Sequence, residues 1–368
     1  MEKKNRVATL PQPNPMCGGD GPHSYARNSS YQKAVIDCAK TKIKEVILEK
    51  LDLAHMCLDL NTFKIADFGC SVGPNTFDVV QTIVETVKRR YEQQNIREAQ
   101  KHLEFHVFFN DQSNNDFNTL FKNRFLSVCK PYFIAGVPGS FYDRVLPRNT
   151  INIGHTSYTL HWLSKIPKEV CNINSLGRNK HNISCSNLVE EMSKAYKSQF
   201  EKDMGDFLGA RAEELVSEGF MIMSGMCLPD GVPMVRTWKG VAIDTMRDCL
   251  IDMANSRILN KERVESFSLP LYFPHMSELE EVIKQNECFS IEVLERMIHP
   301  MEDLPLTNDF IASTYRAIFH GLIEEFFGDG VVDELFDRFA KRLETHPIDF
   351  QTCVKDIQYF VLLKRNSH

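Results

Sequence analysis

The chain has 368 residues, 43% hydrophobic and 25% charged, with a net charge of −6. This is ordinary globular composition. Its acidic balance argues against a nucleic-acid binder, and no stretch approaches the roughly 20 apolar residues that span a bilayer. The 11 cysteines form no CxxC pairs and read as reduced thiols. With an N-terminus lacking the apolar run of a secretory signal, they point to the cytoplasm.

Residues 1–22 are rich in Pro, Gly and polar types, and the extreme terminus is expected to be mobile. Val35, Ile36, Ala39, Ile43, Val46, Ile47 and Leu51 recur at helical spacing and predict a helix from Ser29, with Ser29 or Ser30 as N-cap. Strand-like runs fall at 63–68, 104–110, 132–136, 150–155, 219–225, 289–294 and 358–363. Helical patterns cover 76–91, 188–218 and 309–327. Such alternation predicts an α/β fold with a mainly parallel sheet. Residues 229–286 read as an insertion above that sheet.

In "IADFGCSVGPN" a buried strand ends at Asp67, and Gly69 and Gly73 frame a turn into a helix. Glycine there allows unusual backbone angles and close ligand approach. The next strand, "EFHVFFND", ends at Asp111, placed to accept ribose hydroxyls. The register DxGxxxGxN is not the GxGxxG of a dinucleotide fold, and no GxxxxGK[ST] phosphate loop occurs. The pattern suits an adenosyl ligand without pyrophosphate and favours S-adenosylmethionine.

With "GGDGPHSYARNSSYQ", "IADFGCSVGPNTF", "FFNDQSNNDFNTLF", "GVPGSFYDRVLPRNT" and "HTSYTLHWLSKIPKEV" in order, the chain resembles the plant SABATH methyltransferases nearly end to end, and looks nearest to their loganate and farnesoate branches. The resemblance implies a class I, Rossmann-like sheet with an α-helical cap over the substrate, and a homodimer. Residues 1–50 would close over the site. Residues 51–228 and 287–368 would form the core, and 229–286 with part of 300–330 the cap. Cofactor contacts would come from Tyr25, Ser29, Asp67, Cys70 and Asn75, with Asp111 on the ribose, Gln112 by the adenine, and Ser140 and Phe141 completing the pocket. Gln32 and Trp162 match the residues that hold a substrate carboxylate, with Tyr158 and His161 as neighbouring contacts.

Alone, Trp162 would read as core packing and His161 as a structural histidine. Nothing gives Cys70 the lowered pKa of a nucleophile. "NNDFN" (114–118) reads as an N-cap and loop network, and "KRRYEQQNIREAQKH" as a solvated helix end. Met226, Met234 and Trp238 are expected in the pocket wall. Three departures stand out: Val72 in the first loop, "VSEGF" (216–220) in place of a glycine pair, and "VESFSLPLYFP". The last matters for a magnesium site that some members build. Its matching positions are Asn179, Glu265, Phe267 and Ser268, with an amide oxygen lost at Ser268.

The expected activity is transfer of the methyl group of S-adenosylmethionine to the carboxylate of a small plant acid, such as an iridoid or terpenoid-derived acid. Two alternatives are N-methylation of a xanthine-type purine, with His161 or Tyr158 more active, and a non-catalytic adenosyl-binding protein.

Overall fold

Seven apolar runs pair into a sheet in the computed structural model, which describes residues 14–53, 56, 62–94, 103–122, 132–171, 190–298, 306–355 and 357–367. The strands are β1 (Thr62–Phe68), β2 (Glu104–Asp111), β3 (Phe133–Pro138), β4 (Ile151–Ser157), β5 (Leu215–Cys227), β6 (Phe289–Ile298) and β7 (Ile357–Arg365), and each overlaps one expected run. Their order is β3-β2-β1-β4-β5-β7-β6. From β3 to β5 the pairing is parallel, while β7 runs antiparallel to both β5 and β6.

The helices are α1 (Ser30–Lys50), α2 (Asn75–Gln93), α3 (Phe117–Lys122), α4 (Lys168–Cys171), α5 (Glu190–Glu214), α6 (Trp238–Asn255), α7 (Lys261–Ser266), α8 (Met276–Lys284), α9 (Asn308–Phe327) and α10 (Val331–Thr345). On one sheet face, Ile43 of α1 and Ile83 of α2 pack with Phe63, Ile65 and Val107. On the other, Phe200 and Phe207 of α5 and Leu279 of α8 pack with Phe68, Met221 and Val361. A further helical cluster joins α6, α7, α9 and α10 through Met246, Val264, Ile323 and Phe339. Each fully buried side chain of this size contributes about 1.5–3 kcal/mol over its exposed state, which favours the continuous cores seen here.

The helix expected over 188–218 ends at Glu214, where the chain enters β5. The strand pairing slips there, so that Ile151 faces Leu215 but Ile153 faces Phe220. Glu218 turns the corner at φ 64°, the conformation that a glycine of the replaced pair would adopt without a Cβ clash. Ser29 occupies the N-cap position of α1 but makes no side-chain cap, because its Oγ receives the Asn75 side-chain amide instead.

The extreme terminus, expected to be mobile, falls in residues 1–13, outside the described residues. Residues 14–22 are tied down: Cys17 N–H donates to Ala317 O (2.9 Å) and Gly19 N–H to Asp116 Oδ2 (3.0 Å). Asp116 also receives Thr119 N–H at the start of α3, the N-cap role expected of the "NNDFN" stretch. The charged run after Arg90 is described only to residue 94, with α2 continuing to Gln93.

Candidate active site

The carboxyl ends of β1 to β4 converge where the strand order reverses, the place at which open α/β sheets leave a crevice. A cavity of about 340 Å³ opens there, bounded by Tyr25, Gly69, Asp111, Gln112, Ser140 and Phe141. Gly69 leaves β1 at φ 83°, and a Cβ on it would lie 2.1 Å from Thr159 Cγ2. Its N–H and that of Cys70 both donate to Asn110 O, at 2.8 and 3.0 Å. Gly69→Ala is therefore expected to force the loop off Thr159 and weaken cofactor binding about tenfold, read by calorimetry with S-adenosylhomocysteine.

Asp111 faces this loop with both oxygens engaged: Ser71 N–H donates to Oδ2 (2.7 Å) and Gln112 N–H to Oδ1 (2.8 Å). Loss of hydration raises its pKa from 3.8 to about 6, against the lowering effect of those two bonds. Asn115 supports the loop by donating to Ser71 O (3.1 Å). The Ser71 hydroxyl is buried without a partner among the described residues, a donor left over for a ligand. Burial, with Asp111 adding to it, raises the Tyr25 phenol.

A narrow extension of about 40 Å³ carries Asp67, Cys70, Asn75 and Gln32. Both oxygens of Asp67 take part in holding the turn. Thr76 Oγ1 donates to Oδ2, and His155 Nδ1 lies 2.6 Å from Oδ1. Asn75 ties the turn to α1 through Ser29 Oγ (3.1 Å) and Ser29 O (3.2 Å). Ser29 stands behind the wall of both cavities rather than in it. Burial, then the two nearby aspartates, push the Cys70 thiol well up, so it is a neutral packing group.

Tyr158 and Trp162 line the large cavity and also a second one of about 60 Å³, which adds Gln32, His161, Met226 and Trp238. Thus Gln32, Tyr158, His161 and Trp162, grouped by sequence, do meet. Tyr158 is held at φ 59° and donates its hydroxyl to Gln358 Oε1 (2.6 Å). The Trp162 carbonyl accepts the Tyr142 hydroxyl, which fixes the loop carrying the indole. Gln32 Oε1 is buried with no partner among the described residues. His161 stacks on Phe273 at 5.2 Å, and burial, aided by Lys239, lowers its pKa to about 3. Met226 and Trp238 are in the wall, but Met234 is not. It is buried in the short helical turn before α6, where Gly240 packs against its carbonyl.

Two scaffold groups went unnoticed in the sequence. Arg211, fully buried, donates to Glu214 Oε2 (2.8 Å), to Phe141 O and to Asp143 O (3.0 Å). Glu214 in turn accepts Val145 N–H (2.6 Å) and Leu146 N–H (2.8 Å). Together they set the loop that bears Ser140 and Phe141. His155 is the other, and the register that pairs it with Asp67 is what brings it there.

Of the four positions considered for magnesium, Asn179 lies outside the described residues. Glu265 is 4.0 Å from Lys261, Phe267 packs on Phe326 and Phe327, and Ser268 is buried. The three described positions offer one carboxylate and do not by themselves make a site for a hard divalent cation.

Residues 12–366 match the family model described as SAM dependent carboxyl methyltransferase. A probable S-adenosylmethionine-dependent methyltransferase of Arabidopsis thaliana is 59% identical over 98% of this chain and 100% of its own length. Loganic acid O-methyltransferase of Catharanthus roseus is 44% identical over 98% of this chain and 97% of its own. A solved structure of loganic acid methyltransferase with SAH superposes with a TM-score of 0.88 at 43% identity, covering 96% of this chain and 99% of that one.

Proposed function

The chain belongs to the S-adenosylmethionine-dependent carboxyl methyltransferases, and from that premise we propose that Gln32 and Trp162 hold the carboxylate of a small plant acid, iridoid or terpenoid-derived, for conversion to its methyl ester. Bound S-adenosylmethionine supplies a methyl group on a positively charged sulfur, and the ester O–C bond forms as the C–S bond breaks. One observation carries the reading. The cavity that shares Tyr158 and Trp162 with the larger one is lined by the neutral donors Gln32 and Trp162 and by Lys239, and by no acidic side chain among the described residues.

A carboxylic acid with a pKa near about 4 is already ionised at neutral pH and needs no general base. Neutral amide and indole N–H donors orient its oxygen without neutralising it, so catalysis is chiefly positioning in a water-poor pocket. N-methylation of a purine is less suited to this site. A histidine held near pKa 3 is a weak base, and the Tyr158 hydroxyl is already committed as a donor to Gln358.

Asp111 is assigned to the ribose hydroxyls, Gln112 to the adenine side, and Tyr25, Ser140 and Phe141 to the wall around them. An ionised Asp111 accepts better, so the sign of its pH dependence follows. Affinity for S-adenosylhomocysteine should be constant above about pH 6 and fall up to tenfold per unit below it, as calorimetry would record. The unliganded protein should move the other way. Because the folded pKa is raised from 3.8, stability declines as pH rises from there toward about 6.

No helix among the described residues is long and apolar enough to cross a membrane. Seven cysteines among the described residues carry thiols that form no disulfide, which supports a reducing, cytoplasmic setting. A homodimer is proposed from the family resemblance and is checked by light scattering.

The test is incubation with methyl-labelled S-adenosylmethionine and a panel of plant acids and xanthines. Label released by alkali from an acid product supports the ester. Alkali-stable label on a purine, or cofactor binding without any transfer, contradicts it.

A further inference from the structure

The inner cavity holds two polar side chains that the clamp for the reacting carboxylate does not use. Lys239 is 8% exposed, with Nζ donating to the Tyr31 hydroxyl (2.8 Å) and lying 4.6 and 4.8 Å from the Tyr31 and Trp238 ring centres. Thr314, in the middle of α9, is 4% exposed, and its hydroxyl has no hydrogen-bond partner among the described residues. A mid-helix threonine ordinarily returns that hydroxyl to the preceding turn. Here both residues line the inner cavity, whose remaining wall includes the apolar Met226, Ile243, Leu271 and Ile318.

Their position decides what they can do. Tyr158 and Trp162 border both cavities and mark the end at which the acid meets the methyl group, whereas Lys239 and Thr314 border only the inner one. An ammonium on the attacking carboxylate would also localise its charge and blunt the nucleophile. For a plain hydrocarbon acid, burying these groups would only cost free energy.

We propose that Lys239 and Thr314 form a second polar subsite, which selects acids carrying a further oxygen acceptor, an oxo group or second carboxylate, at the end remote from the carboxylate that is methylated. The proposal rests on the carboxyl-methylation reading and narrows its substrate class. Lys239 donates to the remote oxygen while the apolar wall holds the middle of the molecule. For a diacid the product is the monoester.

The test compares matched acids as methyl acceptors: octanoic against octanedioic, and cyclohexanecarboxylic against trans-cyclohexanedicarboxylic acid. The wild type should favour the diacid of at least one pair about tenfold or more in kcat/KM, and Lys239→Met should cut that preference about 10–100-fold, as for loss of a charge-assisted hydrogen bond. Thr314→Val should cut it about three- to tenfold, and provides the test if the lysine variant does not fold. Calorimetry with S-adenosylhomocysteine reports whether each variant is folded. Equal use of the paired acids, a preference for the monoacids, a ratio unchanged in Lys239→Met, or label on none of the four overturns the subsite. Alkali-labile label without the preference removes the subsite alone, whereas alkali-stable label on a purine removes the carboxyl reading as well.

Discussion

Trp162→Phe should lower kcat/KM for the acid acceptor about 10–100-fold, with affinity for S-adenosylhomocysteine largely retained. Phenylalanine keeps an aromatic ring toward Phe319 and His161, each 5.9 Å from the indole, but loses the indole N–H together with the five-membered ring that bears it. A hydrogen bond to a charged group is worth about 1.5–3 kcal/mol, and each 1.4 kcal/mol is about tenfold in rate. Gln32→Ala should lose a comparable factor. The double variant should fall short of the product of the two if, as proposed, both hold one carboxylate. Steady-state kinetics with cofactor saturating separates this loss from any change in cofactor binding. A Trp162→Phe enzyme with unaltered kcat/KM would leave the tryptophan as wall alone.

The second large effect is on folding. Arg211→Met should destabilise the protein by about 3–5 kcal/mol, the usual cost of leaving one member of a buried ion pair alone. Glu214, fully buried, would then face Val145 and Leu146 N–H without its cation, and the carbonyls of Phe141 and Asp143 would lose their donor. The methionine would also forfeit the guanidinium stacked 4.0 Å from the Phe68 ring centre. Urea unfolding measures the stability loss. Cofactor affinity should fall with it, because Ser140 and Phe141 ride on the same loop. Adding Glu214→Gln to Arg211→Met should restore part of the stability by removing the uncompensated charge, whereas full additivity would show that the two groups act independently.

The strands were legible because each is a short apolar run bounded by turns, and the parallel sheet then followed from their alternation with helices. The crevice at the strand ends was legible for a related reason: Gly69 and Asp111 stand at the ends of consecutive strands, and such ends come together in this topology. What the sequence hid depends on partners far along the chain. His155 meets Asp67 only through the β1–β4 register. Arg211 and Glu214 look like an exposed pair one helical turn apart, and the Phe68 ring together with the loop folded over the end of α5 buries them. Lys239, beside Trp238 at the start of α6, has the look of a surface lysine until Tyr31 closes over it. The α10 helix was passed over although its pattern was available. Val332, Leu335, Phe336, Phe339 and Leu343 mark its buried face against the cluster that includes α6 and α9.

The central claim is that a carboxylate, already ionised and held by neutral donors, takes the methyl group without a protein base. Its most direct test is the pH dependence of kcat/KM for the acid acceptor at saturating S-adenosylmethionine. The account predicts a plateau from about pH 6 upward, with a decline only as the acceptor itself protonates near its pKa of about 4–5. A rate that climbs through about pH 7–9, as a titrating base would produce, would contradict it.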